Sequence, residues 1–98
     1  MQIRFTHRKS PLTEAMKAYL TEKFAKFEKR IESTEPFDVI YTAQVQNKGA
    51  DTDHKLEIRC NSKGKMVMVD KEGPDFYALV DAVEKILKLE LNKAKGKK

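Results

Sequence analysis

The chain has little of the chemistry on which most enzymes and secreted proteins depend. Cys60 is its only cysteine, so no disulfide can form within the chain, and the reducing cytoplasm is the expected location. One cysteine and two histidines give no zinc-ligand spacing, and the four glycines are too scattered for a phosphate-binding loop. We therefore expect neither a metal site nor a cofactor.

Long apolar runs are also absent. No segment approaches the roughly 20 apolar residues that cross a bilayer, and the alternating start, Met1–Phe5, does not resemble a signal peptide. The 98 residues are 40% hydrophobic and 36% charged, which is typical of one folded domain with a heavily charged surface. We expect a single domain over residues 1–95, followed by a short basic tail over 96–98.

The nucleophilic and titratable side chains do not form a catalytic group in the sequence. His54 and Cys60 share one face of a predicted strand, but six residues place them about 20 Å apart, too far for a nucleophile and its base. His7, on another predicted strand, could approach either one. Two partly buried histidines and a small apolar thiol are the simpler interpretation. The sequence thus predicts no catalytic residues and no enzymatic activity.

Positive charge is present, and its position is informative. Up to Glu84, fourteen Lys and Arg balance fourteen Asp and Glu, whereas residues 85–98 hold six lysines and one glutamate. The net charge of +5 therefore comes from the last fourteen residues. Such a concentration indicates a polyanionic partner, although a lysine-rich end that only aids solubility explains the charge equally well.

Hydrophobic periodicity predicts four strands and two helices. Alternation predicts strands at 2–7, 37–45, 54–60 and 65–70, the last apolar on both faces; turns are expected at 48–51 and 61–64. Helical spacing predicts one helix from Ser10 as N-cap, through Pro11 to Ile31, and a second capped by Asp75 and ending near Gly96. The order β-α-β-β-β-α predicts an α/β (α+β) fold, in which a four-stranded mixed sheet has both helices packed on one face.

Each predicted helix shows a basic stripe to solvent. The stripes run at i, i+3 and i+7, continuing to i+10 on the second helix. We call them the first basic ridge (Lys23, Lys26 and Arg30) and the second basic ridge (Lys85, Lys88, Asn92 and Lys95, with Lys93 beside them). Together they are the candidate RNA-binding residues, since phosphates spaced along RNA match such ridges. The helix macrodipole and ordinary pairs such as Glu22–Lys26 and Asp81–Lys85 are an alternative explanation.

The sequences of the last helix and of the strands do not fit two common RNA-binding domains. A double-stranded-RNA domain usually has lysines at the start of its last helix, where this chain has Gly73–Phe76. A domain that reads RNA on its sheet needs exposed aromatic side chains. Phe5, Phe37 and Tyr41 instead lie on the apolar faces of their predicted strands, so no aromatic stacking surface is expected.

Two segments resemble a known family. Leu12–Met16 with Thr21–Glu28 is similar to the first helix of the short ribosome hibernation-promoting factors and the related protein Y. Asp75–Asp81, with the sequence Asp-Phe-Tyr-Ala-Leu-Val-Asp, resembles the start of their second helix, which typically reads Asp-Met-Tyr-Ala-Ala-Ile-Asp. Element order and length also match, so the resemblance spans essentially the whole chain.

The resemblance implies a cytoplasmic bacterial or organellar factor of the stress response and stationary phase. Such factors bind small-subunit ribosomal RNA near the decoding centre and silence idle ribosomes without chemistry. Lys23 and Lys26 match basic positions of the family's first helix. Ile86–Leu91 departs from the family's Lys-Leu-x-Arg-Gln-Leu, and the cations lie at Lys85 and Lys88 instead. No acidic tail or dimerising domain follows in this sequence, so the short members are the expected match.

The alternative from another class is a small homodimeric interaction module. Leu89 and Ile40 lie off the predicted buried faces and are candidates for a protein contact, although single exposed apolar residues are common. Native mass in high salt distinguishes the two hypotheses. An RNA-binding protein is expected to be a monomer off the ribosome, whereas the interaction module should remain a dimer.

Overall fold

The elements follow the predicted order. The computed structural model describes residues 2–9, 11–30, 36–45, 52–62 and 64–96. The strands are β1 (Gln2–Arg8), β2 (Pro36–Val45), β3 (Thr52–Ser62) and β4 (Lys65–Gly73); the helices are α1 (Glu14–Phe24), continued by a 3₁₀ helix (Ala25–Arg30), and α2 (Phe76–Gly96). The predicted β-α-β-β-β-α fold is confirmed.

One mixed sheet holds the strands in the order β1-β2-β3-β4. β1 and β2 are parallel, as a helical crossover requires, while β3 is antiparallel to both β2 and β4. Phe5 is paired with Val39, Val39 with Ile58, and Ile58 with Val69, so these apolar residues form one row across the sheet. Because side chains alternate along each strand, the whole row faces one side.

That side is the core, and both helices cover it. The buried core comprises Leu12, Leu20, Phe24, Phe27, Phe37, Val39, Tyr41, Ala43, Leu56, Ile58, Cys60, Val67, Val69, Phe76, Leu79, Val80, Val83, Leu87 and Leu91. In β4, Val67 and Val69 are buried while Met66 and Met68 are 62% and 60% exposed. The structure thus identifies the core side of β4, which the sequence left open.

The predicted N-cap is wrong for α1 and right for α2. The predicted start of α1 at Ser10 and Pro11 is wrong: the N-cap is Thr13, whose hydroxyl accepts a hydrogen bond from the Met16 amide at 3.1 Å. Leu12 lies before the helix and is still buried. Asp75 is confirmed as the cap of α2, because its carboxylate accepts bonds from the backbone amides of the second and third residues after it at 3.0 and 3.3 Å.

Some predicted features lie outside the described residues. These are Ile31, the turn at 48–51 and the last two residues of the basic tail; Gly96 is the final residue of α2 as described. The turn after β3 is partly described: the Asn61 side chain accepts a hydrogen bond from the Gly64 amide at 3.1 Å. Gly64 has φ +83°, a backbone conformation that favours glycine.

Candidate nucleic-acid interface

The two helices lie side by side and run in the same direction, joined by a polar seam. Tyr19 donates a hydrogen bond to Asp81 at 2.8 Å, and the Lys23 ammonium lies 3.3 Å from the same carboxylate. One turn further on, Lys26 pairs with Glu84. We define the seam as Tyr19, Lys23 and Lys26 on one side and Tyr77, Asp81 and Glu84 on the other. Each set is spaced i, i+4, i+7, so each forms a stripe along its helix.

Asp81 is the electrostatic centre of the seam. The hydrogen bond from Tyr19 lowers the pKa of Asp81, and Lys23 adds to this effect. The same hydrogen bond raises the pKa of Tyr19, and the contact with Asp81 raises the pKa of Lys23. The Lys23 ammonium also lies 5.5 Å from the centre of the Tyr19 ring, a cation–π distance. Lys23 is therefore held in place on two sides.

The first basic ridge is accordingly not a free row of cations. Lys23 and Lys26 are both engaged in the seam, with side chains 32% and 56% exposed. The structure pairs them with α2, where the sequence suggested Lys26 with Glu22 and Asp81 with Lys85. Lys85 has only the weakest of the effects that lower the pKa of Asp81. Arg30 lies at the end of the 3₁₀ helix, and its side chain is outside the description.

The second basic ridge is open to solvent. Lys85, Lys88, Asn92 and Lys93 are all exposed on α2. Lys93 lies 3.5 Å from Glu90, an exposed pair one turn apart. Lys85 and Lys88 form no ion pair within the part of the chain that the structure describes. Lys95 lies in the last turns of α2, where side chains are not described.

Two arginines on the opposite side of the sheet are paired with carboxylates. Arg4 forms a two-pronged contact with Asp38, at 2.7 and 3.1 Å. Arg59 binds Glu57 on its own strand at 2.9–3.0 Å. These guanidinium groups are already matched by carboxylates, whereas Lys85 and Lys88 are not. The helix side thus carries two exposed ammonium groups without a carboxylate partner among the described residues.

The residues considered for catalysis are not assembled into a site. Cys60 is buried, and burial raises the pKa of its thiol to about 11, which keeps it protonated and unreactive at neutral pH. His54 shares a 2.6 Å hydrogen bond with the Tyr41 hydroxyl. His54 is half-buried as predicted, but His7 is exposed rather than partly buried. Among the described residues there is no cluster of metal-binding side chains, and no helix is long and apolar enough to span a membrane.

Sequence reasoning missed two features of this surface. The first is the set of cross-helix pairs in the seam. A signal for it existed in the sequence, because Tyr-x3-Lys-x2-Lys, which runs from α1 into the 3₁₀ helix, is matched by Tyr-x3-Asp-x2-Glu in α2. The other is an exposed aromatic side chain, Tyr77, which is 44% exposed at the start of α2. The sequence argument considered only the strands, where Phe37 and Tyr41 are buried as expected, and it did not consider Tyr77 on the helix.

Comparison with known proteins places the chain in a family. The family described as "Sigma 54 modulation protein / S30EA ribosomal protein" matches residues 3–98. A "Ribosome hibernation promoting factor" of Escherichia coli K12 is 31% identical over 97 residues, covering 99% of this chain and 96% of that protein. The protein of the same name from Pseudomonas putida KT2440 is 32% identical over 97 residues, with 99% and 89% covered.

Two solved structures share the fold. A ribosomal subunit interface protein from Coxiella burnetii superposes with a TM-score of 0.82 at 20% identity, covering 99% of this chain and all of that one. The N-terminal domain of Thermus thermophilus protein Y gives a TM-score of 0.76 at 22% identity, covering 96% and 99%. The family match and the curated relatives confirm the resemblance seen in the two helices: this chain belongs to the sigma 54 modulation protein / S30EA ribosomal protein family.

Proposed function

We propose that this protein is a ribosome hibernation factor that binds small-subunit ribosomal RNA near the decoding centre and silences idle ribosomes. Its curated relatives are named ribosome hibernation promoting factors, and they match this chain over nearly its whole length. The proposal includes a cytoplasmic location, a single ribosome-binding domain over residues 1–95, and a monomer off the ribosome. It requires no cofactor and no chemical step, because occupying the site of messenger and transfer RNA is enough to block translation.

The observation that supports RNA binding most directly is the presence of two exposed lysines on α2 that have no carboxylate partner among the described residues. Lys85 and Lys88 are exposed on α2 without ion-pair partners among the described residues, while Arg4 and Arg59 behind the sheet are matched by carboxylates. A free ammonium group gains most from a phosphate, since it gives up no existing partner. We therefore assign the main phosphate contacts to the second basic ridge.

The seam gives the first basic ridge a second role in this proposal. Lys23 and Lys26 already neutralise Asp81 and Glu84, so their net attraction for RNA is reduced until a phosphate approaches. Both ammonium groups remain partly exposed and have further N–H donors to offer. They would hold the two helices in register and add contacts to RNA that has already bound α2.

The test compares charge reversals on opposite sides of the molecule. Lys85→Glu/Lys88→Glu removes two free cations, and Lys55→Glu/Arg59→Glu is the matched control behind the sheet. Affinity for purified small subunits is measured by co-sedimentation at several salt concentrations with magnesium fixed, after circular dichroism and melting confirm folding. The helix variant should bind orders of magnitude more weakly, and its plot of log affinity against log salt should flatten by about 0.7–0.9 per lost phosphate contact.

Three results would contradict the proposal. The first is binding that does not depend on salt. The second is loss of binding in the strand variant while the helix variant still binds. The third is a dimer that persists in high salt without affinity for small subunits, which would identify the interaction module instead. Position near the decoding centre is tested by competition, since messenger RNA with initiator transfer RNA should displace the protein.

A further inference from the structure

Tyr77 is an exposed aromatic residue on the helix side of the molecule. It lies in the first turn of α2 and is 44% exposed. Tyr77 belongs to the seam stripe that continues through Asp81 and Glu84 to Lys88, about 16 Å further along the helix axis. Its ring is therefore accessible to a ligand on the surface proposed to meet RNA.

The ring is held rigidly by its neighbours. It packs edge-to-face on Tyr19, with ring centres 4.8 Å apart, and on Phe76, with centres 5.3 Å apart. Phe76 is buried and packs in turn on Tyr41 at 5.5 Å. The backbone amide of Tyr77 donates to the Asp75 carboxylate at 3.0 Å, which fixes the start of the helix. A ring fixed in this way loses little further entropy when a ligand stacks on it.

Positive charge lies beside this aromatic pair. The Lys23 ammonium is 5.5 Å from the centre of the Tyr19 ring, which itself contacts Tyr77. A cation next to a fixed aromatic ring is the combination that binds single-stranded nucleic acid, with the ring under a base and the ammonium near its phosphate. A duplex does not fit this arrangement, because its bases are stacked on each other and present only their edges.

We propose that Tyr77 stacks on an unpaired base of ribosomal RNA and makes the protein prefer single-stranded RNA to duplex. This inference rests on the proposed function and adds a base contact to its phosphate contacts. Stacking is tolerant of base identity, so Tyr77 selects RNA that is locally unpaired rather than a particular sequence. The alternative is that Tyr77 only packs the two helices together at this end of the seam.

The first experiment separates stacking from packing with Tyr77→Phe and Tyr77→Leu, each checked by thermal melting. Affinity for small subunits is measured at one salt concentration, and Leu89→Ala serves as control, since Leu89 is 61% exposed on the same helix. The affinity of Tyr77→Phe should be within about twofold of the wild type, because the ring is kept. Tyr77→Leu should bind roughly five- to 150-fold more weakly. The salt dependence of binding by Tyr77→Leu should equal that of the wild type, because no phosphate contact is lost. A Leu variant that melts lower but binds normally would overturn the inference.

A second measurement does not depend on the folding of the Leu variant. The chain contains no tryptophan, so Tyr77→Trp introduces a single tryptophan, which can be excited selectively, at the proposed stacking site. Met68→Trp places one at a similarly exposed position behind the sheet, where Met68 is 60% exposed. A single-stranded RNA oligonucleotide should quench the Tyr77→Trp emission strongly, and a duplex of the same sequence weakly. Equal quenching at both positions, or none at Tyr77→Trp, would refute stacking.

The outcomes distinguish this inference from the function on which it rests. If Lys85→Glu/Lys88→Glu weakens binding while Tyr77→Leu does not, the ribosome-binding function stands and the stacking site is wrong. If the wild-type protein does not bind small subunits, both are wrong.

Discussion

Removing the carboxylate at the centre of the seam should weaken the fold in a way that depends on Tyr19. Asp81→Ala removes the acceptor of the 2.8 Å hydrogen bond from the Tyr19 hydroxyl and the partner of Lys23. Tyr19→Phe removes only the hydroxyl. If the hydrogen bond is the main link, the double variant should be hardly less stable than Asp81→Ala alone.

The size of this coupling depends on how far the Asp81 carboxylate is exposed to solvent. A hydrogen bond to a charged group contributes about 1.5–3 kcal/mol, but Asp81 is 47% exposed, and solvent competes for its oxygens. We expect a coupling free energy of about 0.5–1.5 kcal/mol between Tyr19 and Asp81, and a smaller contribution from the solvent-exposed ion pair with Lys23. For a domain of this size, 1 kcal/mol lowers Tm by roughly 4–8 °C.

Thermal and urea unfolding of the two single variants and the double variant measure the coupling. Glu90→Ala is the matched control, because it removes the same charge from α2, and among the described residues the ion pair of Glu90 is a local one with Lys93, one turn away. Its stability should stay within about 0.5 kcal/mol of the wild type. Strictly additive effects of Tyr19→Phe and Asp81→Ala would refute the reasoning, as would a Glu90→Ala loss equal to that of Asp81→Ala.

The same pair should respond to pH in a defined direction. The pKa of Asp81 is lowered in the folded protein, first by the bond from Tyr19 and then by Lys23. Its contribution to stability is therefore fully present above the unfolded carboxyl pKa of about 3.9 and disappears as the pH falls through the lower, folded value. The difference in Tm between the wild type and Asp81→Ala should thus be constant near neutral pH and shrink in acid. A difference that grows below pH 4 would contradict the assignment.

Other predictions concern the core and the thiol. Leu87→Ala should cost about 2–5 kcal/mol in urea unfolding because Leu87 is fully buried, whereas Leu89→Ala should stay within about 0.5 kcal/mol. On β4, Val69→Ala should lower Tm and Met68→Ala should not, because only Val69 faces the helices. Cys60 should react with a thiol reagent only after unfolding, since it is buried and its pKa is raised to about 11; fast labelling of the native protein would show that β3 is more open.

The sequence alone determined the architecture. Alternating and helical apolar periods have fixed physical causes, the pleat of a strand and the turn of a helix, so Val39 and Leu87 are placed on buried faces without knowledge of their partners. The helix between the first two strands requires parallel pairing, and the short turns require antiparallel pairing. Asp75 as a cap follows from local chemistry too, because the amides that it binds are two and three residues away.

Tertiary structure decided whatever depends on residues far apart in the chain. β4 is apolar on both faces, and only the position of the helices buries Val69 and leaves Met68 exposed. Lys23 and Lys26 form part of a basic stripe when α1 and the 3₁₀ helix that continues it are considered alone. Their carboxylate partners lie 58 residues away in the chain, so only the packing of the two helices shows that these charges are paired. Lys85 and Lys88 form no ion pair among the described residues. Local periodicity places a side chain on a face, but its electrostatic partner is set by the element packed against that face.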